Sequence, residues 1–156
     1  MPHKLLIAPN LVVEPGFREL LSFNETVAAR PMVVELHIRN IGEKAFPGGE
    51  ISGGRFTFQT PLGIGIFKQE RRADPSKIPN IPPRDIFVVK CAWYPASPGL
   101  WEIGFKINAV DEEKIEYYQS ETELPALQDR WAQYIYAVDR HQLDSILLLK
   151  ELLKKR

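Results

Sequence analysis

The clearest pattern in the chain is strict alternation. Val34, Leu36 and Ile38 take turns with Glu35, His37 and Arg39, so aliphatic side chains share one face of an extended segment and polar ones the other. Asn40-Ile41-Gly42 ends that strand, because Asn and Gly tolerate left-handed backbone. The two-residue period returns at Phe56 and Phe58, in the row Leu62, Ile64 and Ile66 set against Gly63 and Gly65, and at Phe87, Val89, Cys91 and Trp93. Beyond the turn Pro95-Ala96-Ser97-Pro98-Gly99, Trp101, Ile103, Phe105 and Ile107 form another inner row, and Ile115 with Tyr117 a last one. Asn10 to Val13 and Phe17 to Phe23 read as two further strands on either side of Pro15-Gly16. Seven or eight short strands at roughly this spacing predict an antiparallel β-sandwich rather than an open sheet.

The period changes after Tyr118. Leu124, Leu127, Trp131, Tyr134, Ile135 and Val138 recur at steps of three and four, and Ile146, Leu149 and Leu153, flanked by Leu148 and Leu152, continue a stripe of the same kind. The 31 residues after Pro125 contain neither Gly nor Pro. As one helix opening at an N-cap Thr122 they would extend about 46 Å. Asp139 to Gln142 is polar on every side and imitates a capping box, which places a kink or restart at 139–142. The expected organisation is therefore a sandwich over 1–120 and an amphipathic helical extension over 121–156. Its first half lies on the sandwich and its second half projects.

Punctuation agrees with that division. All ten glycines fall at or before Gly104 and every proline but Pro125 at or before Pro98, which excludes a repeating βαβ enzyme scaffold. Twenty basic and twenty acidic side chains cancel, so no net field draws the molecule to phosphate backbones, and nucleic acid is not an expected partner. Cys91, the single cysteine, sits in an apolar run and reads as a small buried hydrophobe. The apolar run Leu5 to Ala8 is too short for a signal-peptide core and no window is long enough for a membrane span, giving an expectation of a soluble, cytoplasmic protein.

Chemistry is sparse. His3, His37 and His141 are scattered outside any nucleophile or metal motif, and the glycines of Pro47-Gly48-Gly49 and Ser52-Gly53-Gly54 lack the following helix of a phosphate site. No catalytic residue, cofactor or metal ligand is expected. The acids of 109–123, namely Asp111, Glu112, Glu113, Glu116, Glu121 and Glu123, face only Lys114, but without the Asn and Gly of a calcium loop they read as a solvated hairpin.

The order of turns resembles a known family. A strand closing in Arg39-Asn40-Ile41-Gly42, Ile81-Pro82-Pro83-Arg84-Asp85 opening a strand that ends in Trp93-Tyr94-Pro95, and Pro98-Gly99-Leu100-Trp101 opening the next are similar to prokaryotic immunoglobulin-like sandwiches of the CARDB type. The likeness covers about residues 10 to 118 and departs where Pro83-Arg84 stands for the usual Pro-Gly. It implies an adhesion, spacer or docking module without catalysis. With the unpunctuated tail, this points to a protein–protein interaction module that docks on a partner or self-associates. The candidate contact residues are Trp131, Tyr134, Ile135, Val138, Ile146, Leu149, Leu152 and Leu153. The basic last turn also gives a weaker route to an anionic membrane surface. The alternative from another class is a module that binds carbohydrate or calcium on its edge strands or at 109–123.

Overall fold

The computed structural model describes residues 1–61, 68–126 and 128–155. In chain order the strands are β1 (His3–Val12), β2 (Glu25–Val27), β3 (Met32–Asn40), β4 (Gly49–Ile51), β5 (Arg55–Gln59), β6 (Lys68–Arg72), β7 (Lys77–Ile78), β8 (Ile86–Trp93), β9 (Gly99–Phe105), β10 (Ile107–Ala109), β11 (Ile115–Tyr118) and β12 (Trp131–Val138). A single turn of helix, α1 (Pro15–Arg18), follows β1, and α2 (Arg140–Lys154) follows β12. The predicted row Leu62, Ile64 and Ile66 with Gly63 and Gly65, and Leu127 of the tail stripe, lie outside the described residues.

The architecture is an immunoglobulin-like β-sandwich. One sheet runs β11-β1-β3-β8, the other β2-β12-β9-β5-β6, and a small third sheet, β10-β4-β7, is built on the continuation of β9 beyond Lys106. The alternation of β3 does what its pattern requires: Val34, Leu36 and Ile38 are fully buried, while their neighbours stay partly in water. Facing them, β9 and β5 contribute Trp101, Ile103, Phe56 and Phe58 to the same core. Trp93 of β8 joins the two layers, stacking on Phe58 at 4.2 Å and meeting Trp101 edge-on at 5.4 Å, with its indole N–H donated to Gln69 on β6.

The turn motifs are also accounted for. Asn40 is buried, donates its amide to the carbonyls of Lys44 and Ile81 and accepts the N–H of Gly42, so one side chain ties three chain segments together. Arg84, standing where the resembled family has Gly, adopts left-handed backbone at φ 71° and donates its N–H to the Asn40 carbonyl. Gly49 is required by contact: a Cβ there would lie 2.5 Å from the Asn108 carbonyl oxygen on β10.

Three expectations need correction. Phe17 to Phe23 is not a strand; Pro15 opens α1, and Phe17 turns inward to a separate small core. The strand expected from Asn10 begins at His3, and Pro9 is tolerated because β11 pairs only with His3 to Leu6, leaving β1 an edge beyond that point. The largest correction concerns the tail. The expected helix from Thr122 through Val138 is replaced over Trp131–Val138 by β12, which pairs antiparallel with β9 from Trp131↔Phe105 to Ala137↔Gly99. Trp131, Ile135 and Ala137 point inward while Tyr134 and Tyr136 point out, and a Trp, Tyr, Ile and Val content favours a pleated strand over a helix. The sandwich thus continues past residue 120 to Val138, and the helical part of the tail is α2 alone.

Candidate functional site: the outward face of the C-terminal helix

The expected restart at 139–142 is where α2 begins. The Asp139 carboxylate caps it by accepting the His141 N–H at 2.8 Å, and Arg140 lies 3.8 Å from Asp144 one turn on. Lys154 in the last turn suits the negative end of the helix dipole. Leu143 is the anchor: at 2% exposure it enters a small core with Phe17 of α1 and Val27 of β2, bordered by Leu20, Leu21, Val138 and Leu147. The Arg30 guanidinium lies 5.0 Å above the Phe17 ring and is paired with Glu14, closing that core from the outside.

Beyond Leu147 no side chain of α2 joins either core among the described residues. At roughly 100° of turn per residue, Leu143 and Leu147 share the face on the sandwich, Leu148, Leu149 and Leu152 lie on the opposite side, and Ile146 and Leu153 lie on the flank between them. These five are 44–59% exposed. The amphipathicity is reversed relative to the body, because the second half of the helix turns its aliphatic side chains toward water.

The eight candidate contact residues divide accordingly. Ile146, Leu149, Leu152 and Leu153 lie together on this outward arc, with Leu148 beside them. Trp131 and Ile135 are in the main core, and Val138 borders the small one, so none of the three belongs to the arc. Tyr134 is exposed, but on the outer face of the β12 sheet opposite Glu102. Leu143, the residue that holds the helix in place, was hidden in the sequence by its polar neighbours from Asp139 to Asp144.

The acidic segment is dispersed into separate contacts. Asp111 accepts the Glu113 N–H at 3.0 Å and pairs with buried His3 at 2.8 Å, and the first of these, aided by the second, holds its carboxyl below the usual range. Glu113 is lowered by the Lys44 ammonium at 3.1 Å, and Glu121 pairs with Arg84 and Arg39. Among the described residues no three His, Cys, Asp or Glu side chains converge as a metal site. An open cleft of about 630 Å³ beside β10 has Lys106, Lys114, Glu112 and Asp129 on its walls with the buried Tyr117. The Tyr117 hydroxyl accepts the Ile107 N–H at 2.9 Å, and burial raises its pKa. Cys91 is buried, and burial pushes its thiol up to about 12. No described helix is long and apolar enough to cross a membrane.

No family model and no curated protein matches the chain. Solved structures do resemble it in fold. A CARDB domain from Pyrococcus furiosus, crystallised in complex with di-metal ions, is 12% identical, covers 87% of this chain and 87% of that chain, and aligns with a TM-score of 0.42. A solution structure of a CARDB domain from the same organism is also 12% identical, over 88% of this chain and 98% of that one, at 0.42. A PapD-like domain of human CEP192 is 10% identical over 84% and 85%, at 0.38. These likenesses are distant, and the immunoglobulin-like sandwich is read from the chain's own sheet order.

Proposed function

We propose that the protein is a non-catalytic protein–protein interaction or scaffolding module whose docking element is the outward face of α2. The observation that carries the reading is the reversed arc: five large aliphatic side chains turned away from their own domain on a helix anchored by Leu143. Side chains at positions i, i+3 and i+7, here Ile146, Leu149 and Leu153, are the pattern by which a helix seats in an apolar groove. Covering five half-exposed aliphatics returns about 4–8 kcal/mol at about 1.5–3 kcal/mol per fully buried side chain, enough to offset a substantial part of the cost of association.

The test is a variant carrying Leu149→Ser, Leu152→Ser and Leu153→Ser. A dilute sample of the parent chain is expected to bind an apolar dye such as ANS, and the variant to lose that signal with its thermal midpoint unchanged. A midpoint that falls as it does for a core substitution would show that the arc packs on the domain, and the docking reading would fail.

A second reading has one observation in its favour. Beside Tyr134, an open cleft of about 430 Å³ is lined by Asn24, Gln119, Gln128 and Gln133, the Gln119 amide donating to the Ala132 carbonyl, and its Glu102 carboxylate is already held by Arg130 at 3.1 Å. Amides around an exposed ring form an uncharged polar surface suited to a neutral sugar. Titration with cellopentaose, followed by the amide side-chain NMR signals, tests it; unmoved signals would remove it.

A further inference from the structure

Resting on the docking reading, we infer that the occupant of the α2 arc is the same arc of a second copy, packed antiparallel about a two-fold axis near Leu149. A two-fold pair uses one patch twice, so the patch must be complementary to itself. The apolar arc from Ile146 to Leu153 meets that condition in an antiparallel pair. In the antiparallel register that sets Ile146 of each copy opposite Leu153 of its mate, the two-fold axis passes between Leu149 and Lys150, and the two Leu149 side chains meet across it.

Charge sets the direction. The start of the helix carries Asp139 and Asp144 against Arg140, whereas its end carries Lys150, Lys154 and Lys155 against Glu151. A parallel pair would bring the two basic ends together; an antiparallel pair seats each basic end beside the acidic start of the other helix and opposes the two helix dipoles. The geometry of attachment permits it. Leu143 and Leu147 hold the helix to its sandwich from a face roughly 100° round the helix from the Ile146, Leu149 and Leu153 stripe, so each sandwich lies on a flank of the helix pair. One helix face per copy is small for an interface, and the complex it makes is reversible and in the micromolar range.

Sedimentation of the full chain at a concentration on the order of 100 μM, where a micromolar dimer is well populated, is expected to show a dimer, and Leu149→Asp a monomer. The orientation is read by oxidation of Ile146→Cys and Leu153→Cys proteins, since buried Cys91 is a silent background. Antiparallel packing predicts covalent dimer in the mixture of the two variants and not in either alone, because bridged Cα atoms must approach to within about 7 Å. Covalent dimer formed by each variant alone indicates a parallel pair and overturns the inference. So does a dimer indifferent to Leu149→Asp. A chain that stays monomeric also overturns it, while the dye and midpoint measurement decides separately whether the arc is free to dock on another protein. A monomer that sediments with phosphatidylglycerol vesicles would assign the arc to a membrane surface instead.

Discussion

Leu143 and Leu149 are the same residue type on the same helix, less than two turns apart, and the structure gives them opposite energies. Leu143→Ala removes three buried carbons, worth about 2.4 kcal/mol of transfer free energy at about 0.8 kcal/mol each. Loss of packing adds to this, but the small core around Phe17 and Val27 lies near the surface and can partly collapse, so the expected cost is about 2–3 kcal/mol, the lower part of the range for Leu to Ala. Leu149 is 58% exposed, and an exposed Leu→Ala on a helix is expected to stay within about 0.5 kcal/mol. Urea unfolding of dilute protein, which excludes any contribution from association, measures both. Trp93, Trp101 and Trp131 report on the sandwich by fluorescence, while far-UV circular dichroism also reports α2. If Leu143→Ala releases the helix before the sandwich melts, the two probes separate and the loss resides in the dichroism transition. Equal costs for the two substitutions, or no cost for either, would refute the assignment of the two faces.

Other substitutions examine the fold beneath this site. Arg84→Gly is expected to be more stable than Arg84→Ala by about 1 kcal/mol, since both lose the Glu121 contact and only Ala keeps the strain of left-handed backbone; equal denaturation midpoints would deny that strain. Tyr117→Phe leaves the buried Ile107 N–H without its acceptor and should cost about 1–3 kcal/mol, measured by urea unfolding, and a neutral result would mean that water replaces the hydroxyl. The carboxyls of Asp111, Glu113 and Glu35 are all held below their ordinary pKa, the last chiefly by the Asn10 amide at 2.9 Å. A depressed carboxyl stabilises the fold above its unfolded pKa and loses that contribution as pH falls through the folded value. Urea midpoints should therefore hold steady down to about pH 5 and decline below about pH 4, with a smaller decline in Lys44→Met.

The strands whose two faces differ were legible from residues alone. Val34 to Arg39 alternates because one side of β3 meets the core and the other meets water, and the same holds for Phe87 to Trp93 and Trp101 to Ile107. β12 was not legible, for a reason in its own residues. Tyr134 and Tyr136 are exposed and apolar in composition, so they erase the polar half of the alternation and leave spacings of three and four that imitate a helix. Phe17 misled in the same way, an apolar residue turned into a second small core by Pro15 rather than into a sheet. The outward arc was half legible: its leucines were visible as a stripe, but only the position of Leu143 shows which side of the helix is occupied.

The parallel pairings of β1 with β11 and of β2 with β12 carry a consequence for synthesis. Roughly a hundred residues separate the end of β1 from β11, an interval of roughly 5–20 s at about 5–20 residues per second. Through that interval the early strands can form a β1–β3 hairpin, but its inner aliphatic face has nothing to cover it. Only when β9 and β12 have left the ribosome can the second layer close, so the chain commits to its fold late and nearly all at once. Slow translation anywhere between Asn40 and Trp131 would prolong the exposure of that face, which makes the nascent chain, rather than the finished domain, the species most in need of a chaperone.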